Sequence, residues 1–363
     1  MGPDGLERED VRPQRLVVRR PSRRGHPRRR PLPRHARRRA FRGEHVTAAV
    51  SVRELRVTYG GASRPALDGV DLDVPDRGSV ALVGESGSGK STLALAATRL
   101  LDGSAAVSAE ELSLFEADLL RLPARELRAL RRTRVAMVFQ DPRASWNPTR
   151  TIAAQLLDGL RGEARRERRA RLVEVMRRVG IGDPEERLDD YPHHFSGGML
   201  QRAMLAGGLA HGPRLLIADE PTSALDTTVQ AELLTLIDEL RVEEGLSLLL
   251  ISHDLGVVGR MAAEVVVLFA GRVVERGPTD EILRSPQHPY TRELIAATPR
   301  LHGPRKVPLR VGRGRGPAET GCSYAPRCPL AVEACAQETP PLRTIGAVQV
   351  ACIRAPVDEA VAG

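Results

Sequence analysis

Between a short apolar run and a series of strong helix formers, the chain reads Gly84-Glu85-Ser86-Gly87-Ser88-Gly89-Lys90-Ser91-Thr92. This stretch fits the pattern G-x-x-x-x-G-K-[ST] at every fixed position, and it lies between a predicted strand and a predicted helix, as the pattern requires. Glycines let the backbone wrap around an anion, while the N–H groups of the loop and of the helix N-terminus point at it. Lys90 adds a full positive charge, and Ser91 is placed to bind Mg²⁺. The stretch predicts a nucleoside triphosphate site whose loop residues are Gly84, Ser86, Gly87, Ser88, Gly89, Lys90, Ser91 and Thr92.

The composition is that of a chain with a sizeable core. Its 363 residues are 41% hydrophobic, which suits one large or two medium domains. The longest apolar runs, at 246–251 and 265–270, are strand-sized and far short of the ~20 residues that cross a bilayer. The first residues contain no apolar core followed by a small-residue cleavage site, so they do not read as a secretory signal. We therefore expect a cytoplasmic protein whose role at a membrane would depend on a partner.

The positive charge is concentrated in the first 45 residues. They hold 15 Arg and 5 acidic residues, a net charge of +10, so the remaining chain carries about −1 of the total of +9. A Pro- and Arg-rich segment with almost no aromatic residues is typical of a disordered tail. The alternatives are a start of translation near Val46 or Val50, which would leave the segment untranslated, and an arm that binds nucleic acid. We predict a disordered tail over 1–46.

Alternating and continuous apolar runs predict an α/β fold. Residues 51–58 and 67–74 alternate apolar and polar side chains, as half-buried strands do. Further on, 119–134 and 150–180 have helical periodicity, and 135–139 reads as a buried strand. The sequence therefore predicts an antiparallel β subdomain that leads into an α/β core.

Acidic residues follow another buried strand. The apolar residues 215–218 end at Asp219 and Glu220, and ligands of open α/β sheets bind beyond the carboxyl ends of the strands. Asp219 is placed to complete the magnesium shell with Ser91, and Glu220 to orient and deprotonate an attacking water. His253 follows the next apolar strand and reaches the same edge, which favours a functional role over a structural one.

A second group of backbone amides is predicted at 196–198. Ser196 stands where a helix N-cap belongs, and Gly197 and Gly198 open the helix predicted over 200–210. On its own, this helix start is a weak signal for a second anion site.

With these motifs in this order, residues 50–300 resemble the nucleotide-binding subunit of an ATP-binding cassette (ABC) transporter. The resemblance implies an α/β fold with a P-loop NTPase (RecA-like) core, an antiparallel β subdomain and a helical subdomain over about 141–205. It also implies that the cofactors are ATP and Mg²⁺.

The resemblance also assigns roles to single residues. It implies that Glu220, His253 and Gln140 are catalytic, and that Gln140 joins Ser91 and Asp219 as a magnesium ligand. Further matches lie at the aromatic residue that stacks on adenine, at the signature helix start and in the D-loop at 223–226. These further ATP-binding residues are Tyr59, Ser196, Gly197, Gly198 and Asp226.

Several runs resemble the branch of this family that serves dipeptide, oligopeptide and nickel importers. The run Phe195 to Met199 reads Phe-Ser-Gly-Gly-Met, and His288 begins the run His-Pro-Tyr-Thr-Arg-Glu-Leu; both are typical of that branch. Leu200 stands where the branch usually has Arg, and Trp146 where Leu is usual, but neither position has a catalytic role. The resemblance implies the ATP-hydrolysing subunit of an importer for dipeptides or oligopeptides, with a nickel chelate or another small solute as alternative cargo.

In this family two cassettes close head to tail around ATP, so the resemblance implies a second cassette, identical or paralogous, as a partner. It also implies two transmembrane permease subunits, an extracytoplasmic solute-binding protein and a location at the cytoplasmic face of the cell membrane. The alternative is a soluble ABC ATPase that acts on nucleic acid or ribosomes, with the basic tail as its binding arm. One P-loop and no extended heptad array favour the transporter subunit. A purely regulatory module is disfavoured because Glu220 and His253 are both present.

All four cysteines lie in the last 42 residues, after a Gly-, Arg- and Pro-rich linker at about 303–318. Their spacings, C-x5-C, C-x6-C and C-x16-C, lack the C-x2-C pairs of common zinc ribbons. Four thiolates could hold either Zn²⁺ or an iron-sulfur cluster, and free or structural thiols are the further alternative. The segment 321–329 resembles the C-terminal extension of peptide-importer ATPases, where such cysteines can ligate a [4Fe-4S] cluster. The sequence divides into the tail (1–46), an ABC nucleotide-binding domain (47–300) and an extension (301–363). The candidate cluster ligands in the extension are Cys322, Cys328, Cys335 and Cys352.

Overall fold

The computed structural model describes residues 48–160, 164–223, 225–297 and 316–357, so the predicted tail lies outside the described residues. The strands in these ranges are β1 (Ala48–Tyr59), β2 (Leu67–Pro75), β3 (Ser79–Val83), β4 (Ala105–Ser108), β5 (Glu111–Leu114), β6 (Ala117–Asp118), β7 (Val135–Val138), β8 (Leu215–Asp219), β9 (Ser247–Ile251), β10 (Glu264–Phe269), β11 (Arg272–Pro278), β12 (Arg343–Ile345) and β13 (Val348–Val350). The helices are α1 (Lys90–Ala97), α2 (Ala124–Arg134), α3 (Ile152–Gly159), α4 (Arg165–Arg178), α5 (Pro184–Arg187), α6 (Gly197–Leu209), α7 (Thr227–Glu244), α8 (Leu255–Met261), α9 (Thr279–Arg284), α10 (Pro289–Ala297) and α11 (Ala334–Gln337). None of these helices is long and apolar enough to cross a membrane.

The first strands form an antiparallel sheet. In the described residues its order is β2-β1-β5-β6, and β4 pairs with the second half of β1. The side chains of Val50, Val52 and Val57 in β1 are fully buried. Alternate residues of a strand point to the core face, and register irregularities between Val52 and Val57 return the apolar side chains to that face. The strands predicted at 51–58 and 67–74 are confirmed.

The second sheet forms the α/β core. Its order in the described residues is β12-β13-β11-β10-β3-β9-β8-β7, and the run from β10 to β7 is parallel. Every residue of β3, β8 and β9 is buried, as expected for parallel strands that are covered on both faces. The carboxyl ends of β3, β8 and β9 therefore meet at one edge, and this edge carries the 84–92 loop, Asp219 and the segment that leads to His253.

Two helix predictions were wrong in extent. The helix predicted over 119–134 begins only at Ala124, because β6 and the turn after it occupy the preceding residues and Pro123 has an extended backbone. The helical region predicted over 150–180 consists of α3 and α4, since Leu160 and Ala164 both have extended backbones between them.

The C-terminal extension continues the main sheet. The hairpin of β12 and β13 pairs with β11 at Glu275 and Arg276. Tyr324 of the extension is 2% exposed and belongs to the same hydrophobic core cluster as Tyr290 in α10. The described part of the extension is therefore packed against the nucleotide-binding core.

Candidate nucleotide site

The 84–92 loop joins β3 to α1 in a conformation that requires glycine. Gly84 has φ +151°, and a Cβ placed there would lie 2.2 Å from the carbonyl oxygen of Leu268. Gly89 caps α1 with φ +105°, and its Cβ would lie 2.8 Å from the carbonyl oxygen of Ala66. Because both close contacts involve backbone, larger residues would displace the loop. Elsewhere in the 84–92 loop, the side chains of Ser86 and Ser91 are exposed to solvent.

Lys90 is buried inside the loop and 6% exposed. Its Nζ donates to the carbonyl oxygens of Gly84 and Glu85, at 2.8 Å each. Burial lowers the pKa of Lys90, and the nearby charges of Glu220 and Asp219 oppose that shift. The ammonium group is thus held where the loop and the acidic strand end meet.

Asp219 ends β8 with one unsatisfied carboxylate oxygen. The residue is 7% exposed, and its Oδ1 has no hydrogen-bond partner; the buried Oγ of Ser88 has none either. Burial raises the pKa of Asp219, whereas its hydrogen bond with the side chain of Ser91 lowers it. Buried polar atoms are almost always paired, so these oxygens fit a site for a cation such as Mg²⁺.

Glu220 receives two side chains from neighbouring strand ends. Gln140 donates from Nε2 to one carboxylate oxygen at 3.0 Å, and Nδ1 of His253 lies 3.3 Å from the other. The backbone N–H of Glu220 donates to the carbonyl of Ile251, and its φ is +44°. A non-glycine residue in this region is strained, which is common at functional sites. The structure thus brings together the three residues for which the resemblance implied catalysis.

The signature helix lies apart from this cluster. The Oγ of Ser196 accepts from the N–H of Met199 and caps α6. A Cβ at Gly198 would lie 2.8 Å from Cγ1 of Val229 in α7, so the glycine permits close contact of these helices. Within the described residues, no hydrogen bond joins 196–198 to the 84–92 loop.

Two other residues with expected ATP contacts serve local structure. The carboxylate of Asp226 accepts from the N–H groups of Thr228 and Val229 and caps α7. Tyr59 ends β1 and packs against the core between the two sheets. Ala224, within the predicted D-loop, lies outside the described residues.

Residues that the sequence analysis did not predict also contact the site. Nε2 of Gln201 in α6 donates to the carbonyl of Phe139, so the signature helix holds the segment that carries Gln140. Tyr290 and Arg327 both bond Glu85. Tyr290 lies in the run that begins at His288 and Arg327 in the segment 321–329. Both stretches indicate the family, but neither indicates a contact with the P-loop.

The four cysteines come together in the extension. All four are unpaired; two are buried and two are half-buried. Burial raises the pKa of Cys322, Cys352 and Cys328, the last to about 11, and the charge of the other thiols adds to the shift. Within the described residues, no group of three or more Cys, His, Asp or Glu side chains is arranged to hold a metal ion.

Comparisons with known proteins place two segments of the chain in families. The family model for ABC transporters matches residues 67–223. The model for the C-terminal region of oligopeptide/dipeptide transporters matches residues 274–335. The second match spans β11, α10 and the first cysteines, which the fold places against the P-loop core.

Named relatives match most of the chain. The dipeptide transport ATP-binding protein DppD of Haemophilus influenzae is 43% identical over 84% of this chain and 95% of its own length. DppD of Escherichia coli is 40% identical over 86% of this chain and 98% of its own length. A putative peptide import ATP-binding protein of Brucella ovis is 41% identical over 82% of this chain and 94% of its own length.

Solved structures share the cassette fold. The CbiO1 subunit of the CbiONQ ABC transporter complex of Clostridium perfringens aligns with a TM-score of 0.55 and 28% identity, over 65% of this chain and 90% of that one. The ATP-binding cassette MJ0796, a dimer in a post-hydrolysis state with ADP and phosphate, aligns with a TM-score of 0.54 and 26% identity, over 63% and 98%. Together with the P-loop and the cluster around Glu220, these matches show that the chain belongs to the ATP-binding subunits of ABC transporters, in the dipeptide and oligopeptide importer family, and is an ATPase.

Proposed function

We propose that this chain hydrolyses ATP to drive the import of dipeptides or oligopeptides, as a peripheral subunit at the cytoplasmic face of the cell membrane. The observation that carries the hydrolytic part is the convergence of Gln140 and His253 on Glu220 beside Lys90. The cargo is inferred from the DppD relatives and from the match of residues 274–335. A nickel chelate or another small solute is the alternative cargo.

The ATP phosphates would bind the amides of the 84–92 loop and the ammonium group of Lys90. Mg²⁺ would be held by Ser91, Asp219 and Gln140. The unpartnered Oδ1 of Asp219 supports this assignment, and an amide that donates through Nε2 keeps its Oε1 for the metal. Tyr59 would stack on adenine. When bound, the metal ion supplies charge that balances the β- and γ-phosphates.

Hydrolysis would begin with proton transfer from the attacking water to the carboxylate of Glu220. The hydrogen bond from Gln140 holds this carboxylate before ATP arrives, and Nδ1 of His253 lies 3.3 Å from its other oxygen. His253 is 68% exposed at its side chain, so it is accessible to a phosphate or to a second subunit.

A second cassette would complete the site. Within the described residues, no hydrogen bond joins the start of α6 to the 84–92 loop, which supports contact of Ser196, Gly197 and Gly198 with ATP on a partner cassette. Asp226, as the cap of α7, would place the preceding D-loop at that interface. The dimeric MJ0796 structure supports the same arrangement.

A groove beside Gln140 would receive the permease. It has a volume of about 440 Å³ and lies between the segment after β7 and helices α3 and α6. Phe139 and Trp146 both line it; Phe139 is 39% exposed and Trp146 is buried. Because Phe139 adjoins Gln140, an apolar cytoplasmic segment of a permease seated here would be coupled to the nucleotide site.

The test is ATP hydrolysis by this chain assembled in lipid with its permeases, with and without its solute-binding protein loaded with a peptide mixture. We expect peptide-loaded binding protein to stimulate hydrolysis and Glu220→Gln to abolish the stimulated rate. If binding protein loaded with a nickel chelate stimulates hydrolysis and peptide-loaded binding protein does not, the assigned cargo changes from peptides to the chelate. Failure to assemble with permeases, with hydrolysis stimulated by RNA or DNA, would refute the importer and favour the nucleic-acid alternative.

We also propose that the four thiols ligate a [4Fe-4S] cluster. Four cysteines form the donor set of such clusters, and each thiolate binds a different iron, so the sulfurs stand further apart than the ligands of one metal ion. The match of residues 274–335 to the C-terminal region of oligopeptide/dipeptide transporters supports the cluster, with Zn²⁺ as the alternative metal. We expect anaerobically purified protein to contain iron and sulfide near four each per chain. Protein that lacks iron, sulfide and zinc would refute any metal site.

A further inference from the structure

An ion pair joins the cysteine-bearing extension to the P-loop. The guanidinium of Arg327 makes two parallel hydrogen bonds to the carboxylate of Glu85, of 2.9 Å from Nη1 and 2.7 Å from Nη2. The Arg327 side chain is 19% exposed and that of Glu85 is 40% exposed. A bidentate pair of this kind fixes orientation as well as distance, so the extension constrains a residue inside the phosphate-binding loop.

Glu85 transmits that constraint through its backbone. Its N–H donates to the hydroxyl of Tyr290 at 2.7 Å, which anchors the loop to α10. Its carbonyl accepts from Nζ of Lys90 at 2.8 Å and from the N–H of Ser88 at 3.1 Å. A rotation of Glu85 would therefore move the groups that hold the lysine and the amides that face the phosphates.

Arg327 is itself held rigidly. It ends a short 3-10 turn, and the hydrogen bond from Ala325 N–H to the carbonyl of Cys322 and that from Cys328 N–H to the carbonyl of Tyr324 close this turn. Its guanidinium also bonds Glu293 of α10 and lies 5.7 Å from the ring centres of Phe269 and Tyr324. The turn between two cysteines thus presents a fixed cation to the P-loop.

We propose that Arg327 is a positioning residue for ATP, and that the extension sets the ATP affinity of the subunit through the Arg327–Glu85 pair. Arg327 acts through Glu85 on the loop and on Lys90, and it does not contact the reacting atoms. The proposal rests on the assignment of residues 84–92 as the ATP phosphate site.

The test compares Arg327→Gln, Glu85→Gln and the double variant in the full-length chain, by the Kd of a fluorescent ATP analogue and by the KM and kcat of hydrolysis. We expect each single variant to raise Kd and KM by about fivefold to tenfold, the lower end of typical coupling between two sites, with kcat within twofold. The double variant should match the larger single effect. Arg327→Lys, which keeps the charge but loses the bidentate geometry, should have an intermediate KM.

Arg343→Gln is the matched control. Arg343 belongs to the same extension and donates to the carbonyls of Cys352 and Ala355 without touching the P-loop. An unchanged KM in Arg327→Gln, or an equal rise in Arg343→Gln, would overturn the proposal. Should Arg327→Gln not fold, Glu85→Gln tests the same pair from the core side. Lys90→Ala tests the phosphate-site assignment separately from the Arg327–Glu85 pair. If this variant binds the ATP analogue as the wild type does, that assignment fails, whatever the Arg327 variants do.

Discussion

Two clusters of side chains contact the P-loop, and they differ in how many of their hydrogen-bonding groups have a partner in the protein. The acidic cluster consists of Ser88, Lys90, Asp219 and Glu220, and the Arg327 cluster of Glu85, Glu293, Tyr324 and Arg327. In the acidic cluster, Asp219 Oδ1 and Ser88 Oγ have no partner, and Lys90 donates only to backbone carbonyls. In the Arg327 cluster, the guanidinium bonds both Glu85 and Glu293, and the Tyr324 hydroxyl donates to Glu293 as well.

This difference distinguishes a ligand-binding site from a structural contact between two parts of the fold. A buried polar atom without a partner costs free energy that a bound ligand can recover. A network in which each group is paired makes the structure rigid and leaves its groups little capacity to bind a ligand or to react. Changes in the acidic cluster should therefore alter turnover more than stability, and changes in the Arg327 cluster should do the reverse, apart from the ATP affinity that Arg327 and Glu85 set.

The largest effect should come from Glu220→Gln. The amide retains the size of the side chain but cannot accept a proton, so we expect kcat to fall by at least about 10²-fold while the Kd for ATP stays within threefold. Steady-state hydrolysis and nucleotide binding measure both. Glu244→Gln, at the end of α7, removes one of the two carboxylates that pair with Arg178; it is the control and should keep the wild-type kcat. A Glu220→Gln enzyme with near-normal turnover would remove this residue from its catalytic role.

Asp219→Asn should separate function from stability. It weakens the magnesium site, and we expect about tenfold to 10²-fold less Mg²⁺-dependent hydrolysis at limiting Mg²⁺. It also replaces a buried carboxylate beside Glu220 by a neutral amide, so the nucleotide-free protein should gain about 1 kcal/mol of stability in denaturant unfolding. Asp238→Asn, which removes the carboxylate on α7 that pairs with Arg241, should lower the free energy of unfolding. A loss of stability in Asp219→Asn would contradict the comparison of the two clusters.

The acidic cluster could be predicted because its parts follow local patterns. The strands that end at Asp219 and precede His253 are continuous apolar runs, and parallel strands bring their carboxyl ends to one edge. The loop at 84–92 is defined by its own glycines and lysine. The place of Gln140 could be expected only from the family resemblance, since nothing in the segment after β7 indicates that its amide reaches Glu220.

The Arg327 cluster could not be predicted, because its contacts join residues that are far apart in the sequence. Its main contact joins residues 242 positions apart, and Glu85 occupies a variable position of the P-loop pattern. The pairing of β13 with β11 also joins residues that are far apart in the sequence, such as Glu275 and Val350. Such contacts depend on where the extension packs, whereas periodicity reports only which face of an element is apolar. The Arg-rich run 161–171 suits the solvated face of one continuous helix, so the sequence alone does not show that 150–180 divides into two helices.

Glu293→Gln tests the satisfied cluster on its structural side. The change removes the charge that accepts bonds from Arg327 and Tyr324, both largely shielded from water. We expect the free energy of unfolding to fall by about 3 kcal/mol, the upper range for hydrogen bonds to a charged group, with kcat within twofold of the wild type. Denaturant unfolding and steady-state kinetics give the two values. A large loss of kcat without a loss of stability would reverse the roles of the two clusters.

The smallest effect should be a change in pH dependence beside the Arg327 cluster. His288 lies against the Tyr324 ring, its Nδ1 accepts from the N–H of Tyr290, and burial lowers its pKa to about 3 from 6.5. Between these values the unfolded chain binds a proton that the folded chain does not, so stability falls as the pH falls, by about 1 kcal/mol per pH unit. His288→Asn keeps an acceptor for the Tyr290 N–H and has no proton to bind.

The measurement is the free energy of unfolding of wild type and His288→Asn from pH 7 to pH 5. Burial raises the pKa of the neighbouring Glu275, which gives a slope of opposite sign, but this contribution is common to both proteins and cancels in their difference. We expect the difference to change by about 1 kcal/mol per unit below pH 6.5 and to be constant above it. Equal slopes in the two proteins would mean that His288 takes up a proton in the folded state, and that the packing around Tyr290 and Tyr324 admits water or a counter-charge.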